Sequence, residues 1–441
     1  MDSVWRATTK QTGFPPLKQN QKTDVLIIGG GMAGVLCAYR LGQAGIPYIL
    51  VEADKIGGGI TKNTTAKITA QHGLIYDKIT RQFDRDTARL YYEAQTRALQ
   101  QYKHLCADIP CDFEQQHAFI YSLDAPAKIE AEINALQAIG CDTSFVKQLP
   151  LPFSVAGAAK MPNQAQFHPL KFLFHIAADC HIYEHTKVLE FTPNGVLTNR
   201  GTIEADAIFV TTHFPLLNKH GGYFLKLYQH RSYVTAFENT PPMQGVYADA
   251  SDKGFSFRRY DRFLLLGGGG HRTGKSGGNW REIADFAQKH YPQARAVHSW
   301  ATQDCMTLDG MPYIGQYSKR TPNLYVATGF NKWGMTSSMV AATILCDLVQ
   351  GKDNIYAPVF SPARSILRRQ TAINAAESLI HLLTPTTPRC PHLGCALKYN
   401  QAEHSWDCPC HGSRFTTDGT LIDNPATDDK AGLAKKTQQD L

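Results

Sequence analysis

Hydrophobic and polar positions along the chain follow two alternating patterns. A short apolar run, DVLII at 24–28, meets the glycine-rich turn GGGMAG at 29–34, and VLCAYRLGQAG follows with helical periodicity. Gly45 suits the left-handed position that stops a helix, and IPYILVE at 46–52 reads as a second buried strand. This βαβ unit opens a doubly wound sheet. ADAIFVTTHFP at 205–215 is a further buried strand, and residues 323–351 repeat the order strand, glycine-containing loop, apolar helix. Between about 75 and 300, helical stretches such as RDTARLYYEAQTRALQQYKHL alternate with β-rich ones such as SYVTAF and RFLLLGGGG. That is the pattern of a mixed, mostly antiparallel substrate domain threaded between pieces of a nucleotide domain. The fold class expected is therefore α/β (α+β), a doubly wound Rossmann-type domain interleaved with a mixed-sheet domain.

The ends of the chain read differently. Residues 1–22 are polar and Pro-containing, an arm with little structure of its own. Residues 362–383 read as a helix with an apolar stripe at Ile366, Ile373, Ile380 and Leu383, and TPTTP at 384–388 breaks it as a linker. Residues 430–441 read as a frayed tail, and no repeat of 20–50 residues is evident.

Composition narrows the class. At 441 residues the prior is about three domains. With 43% hydrophobic and 19% charged residues the chain is an ordinary globular one, and its net charge of +7 is spread without a basic stripe, so nucleic acid is not expected as a partner. The longest apolar stretch, 339–346, stops at Asp347, short of the ~20 residues of a membrane span. The N-terminus has no apolar core of a secretory signal, which points to a soluble, cytoplasmic protein. Of 11 cysteines, Cys390, Cys395, Cys408 and Cys410 sit close together, which suggests metal before a structural disulfide.

Gly29-x-Gly31-x-x-Gly34 follows a strand and opens a helix, and Glu52 ends the next strand. Gly29 allows the tight turn, Gly31 admits a pyrophosphate to the backbone, and Gly34 lets helix and sheet pack closely. The helix N-terminus supplies amide donors, and Glu52 can accept from ribose hydroxyls. The motif alone does not separate FAD from NAD. FLLLGGGGHRTGK at 263–275 lacks the third glycine at the required offset and reads as a structural turn.

Two loops favour FAD. GGGITKNTTAKITAQHG at 57–73, with Thr64 and Thr65, offers amides and hydroxyls to a pyrophosphate and ribityl chain. ATGFNKWGMTSSM at 327–339, with Gly329, Gly334 and Met335, offers a helix N-terminus to a flavin ring. With Trp300 and LDGMPYIG at 308–315, residues 23–352 resemble the glycine and D-amino-acid oxidase (DAO) family of FAD-dependent oxidoreductases. The resemblance implies hydride transfer to FAD from the carbon next to an amine nitrogen, and a unit over 23–361. Lys67, His72 and Trp333 match loops that lie near the flavin in that family, against the plainer reading of loop packing. Arg258, Arg259, Tyr260 and His271 could bind a carboxylate, although solvated surface is the default for such a run.

Near the C-terminus the chain reads Cys390-Pro-His392-Leu-Gly-Cys395 and then Cys408-Pro-Cys410-His411-Gly-Ser413. Two Cys and two His on paired Gly/Pro loops fit a Rieske 2Fe–2S centre. A Cys2His2 zinc site tolerates such spacings too, but would leave Cys395 and Cys410 without a role. The boxes CPHLGC and CPCHGS resemble the Rieske family of respiratory complexes almost letter for letter. That resemblance implies Cys390, His392, Cys408 and His411 as ligands and Cys395–Cys410 as a disulfide. It also implies a bond from Ser413 to a cluster sulfur. Phe415 stands where high-potential members carry tyrosine, which implies a lower potential. Residues 389–441 have no room for the usual leading strands, so the segment reads as a truncated all-β module leaning on the body, after a helix and linker at 362–388.

Together these readings imply an FAD-dependent oxidoreductase acting on a small amine or amino acid with a CH–NH group. Its flavin would pass electrons through the cluster to an external one-electron carrier. The alternatives are a reductase fed through the cluster, or a non-catalytic electron-transfer or redox-sensing flavoprotein.

Overall fold

Val25, Leu26, Ile27 and Ile28 are all buried because their strand, Gln21–Ile28, lies in the middle of a parallel sheet covered on both faces. Gly201–Val210 and Tyr48–Val51 flank it in parallel, and Thr321–Thr328 and Ile182–Tyr183 extend the parallel order outward. The helices Met32–Gln43 and Gly334–Val349 follow the two glycine-containing turns and contribute many buried side chains to the main core. Gly45 takes the left-handed conformation expected of it, at φ +68°. The computed structural model describes residues 2–11, 13–217, 220–251, 253–385 and 388–429.

Among the described residues the strands form sheets of eight, nine and four. The nine-stranded sheet is built from strands scattered between Lys67–Ile68 and Arg295–Thr307, so its chain segments interleave with those of the parallel sheet. It is antiparallel except where Val246–Asp249 lies parallel to Glu114–Ser122. Lys398–Asn400, Ser405–Asp407, Arg414–Thr416 and Leu421–Asp423 make the small sheet, each strand antiparallel to the next. The fold class read from the sequence is the observed one. No helix among the described residues is long and apolar enough to cross a membrane.

Three local expectations need correction. The first 22 residues are not a loose arm: Val4 and Trp5 are fully buried, and Trp5 Nε1 donates to the carbonyl of Thr64 at 2.7 Å. One large indole outweighs the polar composition around it. The predicted helix at 362–383 begins only at Arg369, because Arg364 is pinned to Asp309 at 2.8 Å and to the carbonyls of Met311 and Pro312. Its apolar stripe faces outward, with Leu383 at 73% exposure, while Asn374 and His381 are buried. Polar partners on the body decide this orientation: Arg272 donates to Asn374 at 2.9 Å, and Lys275 pairs with Glu377 at 2.8 Å. Finally, four glycines of 263–275, at 267–270, lie within the strand Phe263–Arg272, and only Gly274 sits in the turn that follows it. Residues 386 and 387 of the linker and the tail at 430–441 lie outside the described residues.

Candidate functional site

The first glycine-rich turn opens onto a cavity of about 1020 Å³. Gly29, Gly31, Glu52, Thr64, Thr65, Gly329, Gly334 and Met335 all line it, as do Lys67, His72 and Trp333. Gly34 does not line it. A Cβ there would stand 1.9 Å from the carbonyl oxygen of Gly29, so Gly34 serves the close approach of helix to turn. Glu52 accepts from the amides of Gly30 at 2.7 Å and Asp54 at 2.9 Å, while burial pushes its carboxyl above the usual range. The helices Met32–Gln43 and Gly334–Val349 both begin at the cavity without a side-chain cap. Neither N-cap residue caps its helix, although the Met32 amide donates to Thr61 Oγ1 at 3.1 Å. The two N-termini present positive partial charge to a pyrophosphate and to an electron-rich ring, which is what FAD brings.

The candidate side chains divide by their bonding. His72 Nδ1 meets Tyr91 Oη at 2.7 Å, Nε2 meets the carbonyl of Thr69 at 2.7 Å, and the ring stacks on Trp333 at 5.0 Å. Burial lowers its pKa to about 3, so it is a neutral brace with both nitrogens occupied. Lys67 donates to Thr65 Oγ1 at 3.2 Å, and burial together with the Arg258 charge lowers its ammonium to about 7. Arg258 is not solvated surface: it is 1% exposed and donates to the carbonyls of Thr65 and Ala66, bracing the loop behind the cavity. Arg259 bonds carbonyls at Thr240, Pro241 and Arg262, Tyr260 donates to Asp112, and His271 bonds Tyr233, so none of these four lines the cavity. Asp304 was not signalled by any motif, yet it lines the cavity, with burial raising its carboxyl to about 6.

The second site lies in the C-terminal module. Cys395 and Cys410 are joined by a disulfide with Cα atoms 6.6 Å apart, which ties the two loops together. Cys390 and Cys408 are buried thiols that hydrogen-bond each other; Cys408, with help from Ser413 and the amides of His392 and Leu393, draws the Cys390 pKa down. The rings of His392 and His411 lie 5.0 Å apart, and burial holds both imidazoles neutral. Both ring nitrogens of His411 are buried without a hydrogen bond of good geometry. Two thiols and two neutral imidazoles, one of them with both ring nitrogens unpartnered, are the residue types that a Rieske cluster takes as ligands. The module leans on the body as its length implies. Gln303 donates to the carbonyl of Gly412 at 2.9 Å, and Phe214 and Phe224 set ring edges against His411 at 6.4 and 6.3 Å.

One strand joins the two sites. Along Arg295–Thr307, Thr302, Asp304 and Met306 line the cavity, whereas Gln303 between them points to the cluster loop. The module reaches the cavity a second time, because Leu421, Asn424 and Thr427 also line it. Neither contact had a sequence signal, since both depend on elements far apart in the chain.

A doubly wound sheet with a dinucleotide cavity, interleaved with a second sheet and joined to a Rieske module, defines a cluster-bearing FAD-dependent oxidoreductase. Residues 24–348 match the family described as FAD dependent oxidoreductase (DAO), and residues 378–436 match the Rieske 2Fe–2S domain. The chain belongs to this FAD-dependent oxidoreductase family, and its cofactors are FAD and one 2Fe–2S cluster. It is 34% identical to YhfW of Bacillus subtilis (strain 168), whose name describes a Rieske 2Fe-2S iron-sulfur protein, over 96% of both chains. Among solved structures, glycine oxidase from Geobacillus kaustophilus superposes with a TM-score of 0.66 at 20% identity, covering 78% of this chain and 99% of that one. L-proline dehydrogenase from P. horikoshii gives 0.67 at 18% identity, covering 78% and 98%. These two likenesses concern the fold.

Proposed function

We propose that this oxidoreductase oxidises a small amine or amino acid at a CH–NH group and delivers the electrons through its cluster to an external one-electron carrier. The observation that carries the reading is the shared strand Arg295–Thr307, with the cavity on one face and the cluster loop bonded to the other. The names of the structural neighbours, a glycine oxidase and a proline dehydrogenase, support the substrate class. When bound, FAD supplies the acceptor for a hydride and the cluster supplies a one-electron relay.

In this reading Gly29, Gly31, Glu52, Thr64 and Thr65 hold the dinucleotide, Gly329, Gly334 and Met335 face its ring, and Gly34 acts through packing. Cys390, Cys408, His392 and His411 are the ligands. Lys67 is one cavity group suited to exchange a proton near neutrality, beside Asp304, while His72 keeps Trp333 in place. Cys37, Cys106, Cys111, Cys141, Cys180, Cys305 and Cys346 all remain free thiols, which favours a cytoplasmic setting.

Anaerobic addition of amines and amino acids to the purified protein tests this. Bleaching of the flavin followed by reduction of the cluster is expected, with a Lys67→Met variant losing an inflection near pH 7 in the rate of bleaching. No bleaching with any of them, but reduction of both centres from a ferredoxin, would reverse the direction of flow.

A further inference from the structure

We propose that the 421–429 segment of the cluster module is a resident wall of the FAD site, and that Asn424 couples FAD binding to docking of the module. The coupling needs both cofactors but neither direction of electron flow.

The connection can be followed bond by bond. Within the module, Ser413 of the second cysteine box accepts from the amide of Ala426 at 2.9 Å, so the segment is anchored beside the ligands. Asn424 Nδ2 then donates to the carbonyls of both Thr212 and Phe214 at 2.8 Å. These residues belong to the loop that leaves the central strand Gly201–Val210. One end of that loop is stapled to the glycine-rich turn, where Thr211 Oγ1 donates to the carbonyls of Ile28 at 2.9 Å and Gly29 at 3.1 Å. At its other end the Phe214 ring stands 6.3 Å from the His392 ring and 6.4 Å from that of His411. A four-residue loop thus touches the dinucleotide turn and both imidazoles, and one amide of the module holds it.

The segment also closes the cavity. Lys187 follows Thr186, whose amide donates to the Glu52 carbonyl at 2.9 Å, and its Nζ donates to the carbonyl of Thr427; Thr427 and Asn424 line the same cavity. Since Glu52 is the group suited to the adenosine ribose, the segment covers the adenosine end of the dinucleotide. Undocking the module would open that end to water and release the 211–214 loop from its two hydrogen bonds. By thermodynamic reciprocity, FAD must strengthen docking by the same factor by which docking strengthens FAD binding.

The test uses the full chain, stripped of FAD and titrated with it by flavin fluorescence, with iron analysis and EPR reporting the cluster. Asn424→Ala is expected to raise the Kd for FAD about tenfold or more, the effect of a lost donor to two buried carbonyls, while iron content and the EPR spectrum stay at parent values. Lys187→Met is expected to raise it too. The double variant should fall short of the product of the two single effects, because both release the same segment. If Asn424→Ala forfeits the cluster, Asn424→Gln, which keeps the amide, is the variant read instead, with a smaller rise expected. A Kd within twofold of the parent, or single effects that multiply fully, overturns the proposal.

Discussion

In the flavoprotein body, Val25, Ile27, Leu50 and Phe209 are enclosed by dozens of other apolar side chains of the main core. Around the cluster loops the buried apolar set is Cys390, Cys395, Leu397, Cys408, Cys410, Phe415 and Ala426. Beyond that set comes charge. Arg231 of the body pairs with Glu403 of the module and approaches Asp423 at 3.9 Å, and Arg414 pairs with Glu403 at 2.7 Å, Asp407 at 3.0 Å and Asp423 at 3.0 Å. Both arginine side chains are 5% exposed or less. A segment this short buries little apolar surface of its own. It borrows an interface instead, and directional charge pairs fix its orientation where a large core would rely on volume.

The comparison can be broken most severely at Arg414. Arg414→Met leaves the buried Asp407 without its paired cation, while Glu403 keeps Arg231 and the partly exposed Asp423 loses one partner, at a cost of roughly 3–5 kcal/mol to the module. Calorimetry should show a low-temperature transition, with loss of iron, split from the unfolding of the body. A single cooperative transition at the parent temperature would refute the division. Acid provides a gentler form of the same experiment. Burial pushes Asp407 up, but Arg414 and Arg231 outweigh it and hold the carboxyl below the usual range. Its contribution is therefore fully present above about pH 4, the unfolded value, and is lost as pH falls through the lower folded value. Cluster absorbance should disappear in that window ahead of the far-ultraviolet signal of the body. Simultaneous loss of both would contradict it. The smallest effect concerns Phe415, buried in the module's core. Phe415→Tyr should raise the cluster potential by roughly 40 mV, one hydrogen bond of about 1 kcal/mol to the reduced form. An EPR-monitored redox titration showing no rise would remove this account.

Local periodicity made the body legible. The helix Arg85–Leu105 coincides with its patterned stretch, and Gln21–Ile28, Gly201–Val210 and Gly334–Val349 fall where apolar runs and glycine turns place them. The Rieske module was equally visible, since the spacing within its two cysteine boxes is a short-range signal. What stayed hidden depends on distant partners. Nothing near Trp5 announces the carbonyl of Thr64 or the guanidinium of Arg258 5.2 Å from its ring. The apolar stripe of the Arg369–Leu383 helix does not set its direction, which comes from Arg272 and Lys275, a hundred residues away. Asp304, Gln303 and Asn424 carry no motif because each acts at a meeting of two modules.

The Arg295–Thr307 strand has a consequence for how such a protein could be altered. Between 302 and 306 neighbouring positions answer to different demands, with Thr302, Asp304 and Met306 toward the cavity and Gln303 toward the cluster loop. Side-chain substitution on one face leaves the other face in place, so the cavity lining and the contact with the cluster loop can be altered separately by residue number alone. An insertion or deletion of one residue would exchange the two sets at a stroke. The strand tolerates editing of its letters but not of its length.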